Sequence, residues 1–220
     1  QDDGTASLSA FATDDLFTPD ETAIRRLVGV ASSEYVRSVS LASNIDVASK
    51  AVRLAESEVA IDRAINLIGT VPSASAAYLP RFQIQKAVVQ LERGRPEMAR
   101  VNAASAAKSL NDLLPGTPLT ARALLVQAKA EADDGDRKAA LATYSTAFGV
   151  YEENPVPIRS ASVWPYLRLA LEERSRTPSE AETLNAEMFR AAQIVRSSVA
   201  AKTISGAAAL FSEGDSDAAR

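Results

Sequence analysis

Residues 128–148 read AKAEADDGDRKAALATYSTAF. Small residues stand at Ala128, Ala140 and Ala147, a glycine at Gly135 and an aromatic at Tyr144, with acids crowded between them. The spacing has a physical reason. Two antiparallel helices joined by a tight turn approach closely only where the facing side chains are small, so Ala128 on a first helix is set to meet Ala140 on a second. Gly135 supplies the conformation of the turn. Tyr144 and Ala147 then form a stripe with Ala140 that one hairpin cannot bury alone, and a neighbouring hairpin must cover it. Asp133, Asp134 and Asp136 belong to the exposed turn and to the start of the second helix, where negative charge favours the helix dipole.

The pattern recurs. Gly94 lies 41 residues before Gly135, and Ala87, Ala99, Ala103 and Ala106 lie 41 residues before Ala128, Ala140, Tyr144 and Ala147. A helix-turn-helix unit is therefore used at least twice, over residues 79–115 and 118–154, with further pairs expected over 45–70 and 158–197. Turn signals separate helix-length segments at Gly94-Arg95-Pro96, 114–118, 133–136, 154–157 and 176–178. No stretch alternates polar and apolar residues at strand length, so no sheet is expected. The predicted fold class is all-α, a solenoid of antiparallel helical hairpins spanning 18–220. Ahead of it, residues 1–17 read as a disordered arm.

Composition agrees. Alanine occurs 42 times while aromatic residues make up 5% of the chain, and alanine has the strongest helix propensity because it loses no side-chain entropy on ordering. Thr18-Pro19-Asp20-Glu21 forms a capping box that should start a helix running to about Ser33. A second helical region is expected from Ile45 to Ile68, as one helix or as two broken near Ala55 to Glu58, ending at Gly69.

The same composition excludes whole classes of function. The chain has no cysteine and no histidine, which removes thiolate nucleophiles, imidazole bases, disulfides and most zinc sites. No metal site and no cofactor is expected. The formal charge of -4, with scattered lysines and arginines, argues against a nucleic-acid surface. No run is long and apolar enough to span a bilayer. Ser105 and Lys108 satisfy S-x-x-K, but the partner motifs of serine acyl-transferases are absent. Asp133-Asp134-Gly135-Asp136 resembles a calcium loop and fails on ligand count, since Ala130, Ala132 and Leu141 fall at ligand positions. Glu58 and Asp62 read as a solvated helix face rather than a carboxylate pair, and Trp164 as a core residue filling the gap between units, with an exposed stacking surface as the other reading. The chain itself is not expected to be an enzyme.

The small-residue positions resemble the tetratricopeptide repeat, most closely over Ala128 to Ala147. Lys86 and Gln127 stand where that family usually has leucine, and the 41-residue period exceeds its usual 34. The resemblance implies a protein or peptide ligand held in a concave groove lined by first helices. Arg81 and Arg122, also 41 residues apart, read either as ordinary solvated arginines or as a stacked pair facing that groove, where with Lys129 they would hold a carboxylate or acidic peptide. A second resemblance lies in residues 182–220. Phe189-Arg190-Ala191-Ala192-Gln193, then Ser198-Val199-Ala200-Ala201 and Gly214-Asp215, are similar to the segment that joins such repeats to a caspase-like CHAT protease domain in bacterial proteins. It implies a regulatory region in front of a protease. The alternative is a stand-alone periplasmic or envelope scaffold. The start without methionine makes export plausible, with a cytoplasmic location as the other reading.

Overall fold

The computed structural model describes residues 21–43, 47–156 and 158–195. Seven helices, α1 (Glu21–Ser43), α2 (Lys50–Gly69), α3 (Pro72–Glu92), α4 (Pro96–Leu113), α5 (Pro118–Asp133), α6 (Arg137–Glu153) and α7 (Ser160–Arg176), are followed by a short 3-10 turn, Pro178–Glu180. An eighth, α8, covers residues 181–195. There is no strand among the described residues. The chain is an all-α solenoid in which each helix packs on its neighbours in sequence. The expected arm, Thr18 and Pro19 of the capping box, Ile45, Ser198 to Ala201 and Gly214-Asp215 lie outside the described residues.

The two central hairpins turn in the same way. After α3 the Gly94 N–H donates to the Leu91 carbonyl at 3.0 Å and the Arg95 N–H to the Gln90 carbonyl at 2.9 Å. After α5 the Gly135 N–H donates to Ala132 at 3.2 Å and the Asp136 N–H to Glu131 at 2.9 Å. Both glycines have positive φ, +70° and +94°. This is the Schellman closure, which satisfies the last carbonyls of a helix and favours a residue without a β-carbon at its left-handed position. The following helices start at once: Pro96 opens α4, and the Asp136 carboxylate accepts from the Ala139 N–H at 3.1 Å to cap α6.

Small side chains set the spacing inside the hairpins. Ala87, Ala99, Ala103 and Ala130 form one fully buried cluster between α3, α4 and α5. Ala128, Ala140, Tyr144 and Ala147 belong to a larger cluster that continues through Tyr166 to Leu184 and Ile194. The junction of α6 and α7 is filled differently. Tyr144, Phe148 and Tyr166 stack and cross there with ring centroids 5.0 to 6.0 Å apart, and these rings hold the two backbones further apart than the alanine contacts hold α5 and α6.

Successive first helices, α1, α3, α5 and α7, touch one another, whereas α2, α4 and α6 do not. The first helices therefore form the inner layer of the curve.

Four expectations change. α1 continues past Ser33 to Ser43, because Ser38 is buried against α2, where its hydroxyl lies 2.9 Å from that of Ser57; tertiary packing outweighs the low helix propensity of serine. α2 is one uninterrupted helix, and it forms a hairpin with α1. Glu58 is buried, not solvated. It pairs with Arg93 and with Arg95 of the α3–α4 turn, while Asp62 is bound to Lys86 at 2.8 Å. Trp164 is 69% exposed, because Val163, Tyr166 and Ala170 occupy the core-facing side of α7 and leave it the solvent-facing one.

Candidate ligand groove

The inner layer carries two adjoining cavities. One is a slot of about 200 Å³ walled by Val88 and Leu91 of α3, Leu125 and Val126 of α5, and Pro165 of α7, with Tyr144 of α6 contributing to its lining. The other is a basin of about 430 Å³ between α5 and α7, bordered by Asp133, Arg137, Trp164, Arg168 and Glu172. Lys129 and Pro165 line both cavities, so the two form one groove across three first helices.

Helix periodicity aligns the groove residues. Val88 follows Arg81 by seven positions on α3 and Lys129 follows Arg122 by seven on α5, so each pair shares a helix face two turns apart. Of the three candidates only Lys129 lines the cavities; Arg81 and Arg122 are exposed. Arg122 acts instead near Tyr151, whose phenol is pushed up by burial and pulled the other way by that guanidinium.

The charges of the basin are internally paired. Lys129 Nζ lies 2.5 Å from Asp133 Oδ2. Arg137 Nε and Nη1 lie 2.9 Å from Glu173 and 3.0 Å from Glu172, and Arg168 Nε is 3.3 Å from Glu172. The hydrogen bonds from Arg137 hold the Glu172 and Glu173 carboxyls below the usual carboxylate range and push the guanidinium up. A basin balanced in this way is not a strong anion trap, so Trp164, the largest unpaired surface in it, becomes the principal contact it offers.

The slot differs. The Tyr144 side chain is 1% exposed, and its hydroxyl has no hydrogen-bond partner among the described residues. Burial, and then the carboxylates of Asp133 and Glu131, push this phenol well above its usual range, so it keeps its proton. Glu131 is itself buried, with Gln127 Nε2 donating to it at 2.7 Å.

Elsewhere the chemistry is structural. Gln83 Nε2 donates to the Ser105 hydroxyl at 3.2 Å, and Lys108 is exposed. Lys86 and Gln127, the departures from the repeat pattern, hold Asp62 and Glu131. Among the described residues no cluster of His, Cys, Asp or Glu is placed to hold a metal ion, and no helix is long and apolar enough to cross a membrane. Sequence reading missed Val88, Leu125 and Pro165; the seven-residue step from Arg81 along α3 reaches Val88, and no local signal marks the other two.

Compared with protein-family models, curated proteins and solved structures, the chain has no match. What the fold defines is a class: an all-α helical-hairpin solenoid, here with a two-part groove on its inner layer.

Proposed function

We propose that this chain is a non-enzymatic protein-interaction module that holds an extended peptide segment along the inner face of α3, α5 and α7. One observation carries the reading: the slot and the basin join at Lys129 and Pro165, placing an apolar cleft beside an exposed tryptophan on the inner side of the curve. Small apolar pockets with an aromatic anchor are what peptide recognition uses. The repeat spacing of Ala128, Gly135, Ala140 and Tyr144 supports a tetratricopeptide-like origin, for which this groove is the binding face. Selection of random displayed peptides against the chain tests the proposal. Selected peptides should lose binding to Ala161→Phe, which narrows the slot from its exposed rim, and keep it with Ala142→Ser on the outer face. Equal binding to both variants places the site elsewhere.

The segment Phe189 to Gln193 on α8 supports a finer proposal, that the module regulates a caspase-like CHAT protease carried in the same polypeptide. A ligand shifts such a partner only by its differential affinity for two states, about 1.4 kcal/mol for each tenfold change. Cleavage of a peptide library by the protease with and without residues 1–180 tests it. Identical rates and substrate choice remove the regulatory role.

A further inference from the structure

The outer layer carries a cleft larger than either part of the inner groove. It lies between α6 and the stretch formed by the 3-10 turn and α8, and holds about 520 Å³, within the roughly 300–1,000 Å³ of pockets that enclose complete small molecules. Its walls recur at helical spacing. Lys138, Leu141 and Ser145 come from one face of α6, and Glu180, Leu184 and Glu187 from the facing side. Arg190 bonds Glu152 at 2.6 and 3.0 Å and ties the late ends of the two helices together, so Lys138 and Glu180 share the early end of the cleft and Ser145 and Glu187 the other.

Charged and apolar groups are segregated along it. At the early end the side chains of Lys138 and Glu180 are exposed and have no partner among the described residues. Leu184, buried in the core, and Leu141, packed against it, make the middle apolar. At the far end Glu187 is half-buried, and the phenol of the fully buried Tyr166 donates to its Oε2 at 3.2 Å. Burial, and then Glu187 itself, push that phenol above its usual range, so it keeps the proton it donates. Glu187 forms no ion pair among the described residues; Arg190, which acts with it at longer range, is bonded to Glu152. The Ser145 hydroxyl, also without a partner among the described residues, is a further acceptor at that end.

The cleft thus presents a cation and an anion, then an apolar floor, then a second anion. Its complement has a carboxylate and an ammonium at one end, an aliphatic stem, and a second cation at the other. A free basic amino acid carries these groups in this order. The dimensions agree. Glu187 follows Glu180 by seven residues, a step of about 10 Å at 1.5 Å per residue. An extended lysine spans about 6 Å from Cα to Nζ, and one hydrogen bond of about 3 Å at its far end completes that step.

We propose that the cleft between α6 and α8 is a binding site for a free basic amino acid of the lysine type, with Lys138 and Glu180 holding its α-carboxylate and α-ammonium, Leu141 and Leu184 its stem, and Glu187 its terminal ammonium. The cleft is separate from the inner groove, and the proposal does not depend on peptide binding there.

The test titrates the full chain, at low ionic strength, with L-lysine, with norleucine, which keeps the head and the stem but lacks the terminal ammonium, and with Nα-acetyl-lysine methylamide, which keeps the stem and the terminal ammonium but lacks the charged head. Amide resonances are followed by NMR. Lysine should give saturable shifts at Leu141, Ser145 and Leu184, with the other two compounds at least about fivefold weaker. Glu187→Gln keeps an acceptor for the Tyr166 hydroxyl and should leave the fold intact by circular dichroism; it should weaken lysine at least about fivefold and leave norleucine unchanged. Absence of lysine-induced shifts at the cleft, equal affinity for norleucine or for the capped lysine, or an unchanged preference for lysine over norleucine in Glu187→Gln overturns the proposal.

Discussion

At Ala140 a methyl group is the largest side chain the contact between α5 and α6 accommodates: the residue is fully buried in the cluster that holds Ala128, Tyr144 and Ala147. Ala140→Leu should overpack that contact and lower stability by roughly 1 to 3 kcal/mol. Ala142, two residues on, is exposed on the outer groove between α6 and α8, and Ala142→Leu should change stability by less than about 0.5 kcal/mol. Urea midpoints of the two variants measure this, and equal midpoints contradict the register. These alanines could be read from sequence because close helix approach is a local rule about side-chain size. Trp164 and Glu58 could not be read from size and charge alone. Tyr166 takes the interior place that the bulk of Trp164 invites, and the cations that bury Glu58, Arg93 and Arg95, arrive from a turn 35 to 37 residues away.

The elements differ in how they are joined. Alanine brings α3 to α4 and α5 to α6 into close contact, while α6 meets α7 across rings and through Arg137, which bonds Glu172, Glu173 and the Leu169 carbonyl. Helices and their turns were legible, since proline at the first position and glycine after the last one punctuate them locally. Their junctions were not, because Arg137 and Glu173 are 36 residues apart and no local pattern pairs them. The junction has a pH signature. Both carboxyls titrate below their ordinary value in the folded chain, so they stabilise it above the unfolded-state value near 4.5, and this contribution is lost as pH falls through the lowered folded values. Carbon-13 titration of Glu173 should show a depressed midpoint that moves back toward 4.5 in Arg137→Gln, with less acid sensitivity of the urea midpoint. An unmoved Glu173 midpoint shows that the latch does not form.

Across the whole molecule, touching first helices and separated second helices bend the hairpins around an inner face. The all-α class and its hairpin repeat follow from local spacing, but the groove depends on how three helices far apart in sequence are set against one another, which composition does not encode. The chain carries its own reporter there. Trp164 is the only tryptophan and borders the basin, so a peptide lying along α5 and α7 must change its surroundings. The decisive measurement is a titration of the chain with a peptide selected from the random library, following Trp164 emission beside calorimetry. Binding in the groove predicts that the emission moves to shorter wavelength and saturates with the calorimetric Kd, and that both signals disappear in Ala161→Phe. A calorimetric isotherm with unchanged Trp164 emission, retained in Ala161→Phe, would contradict it.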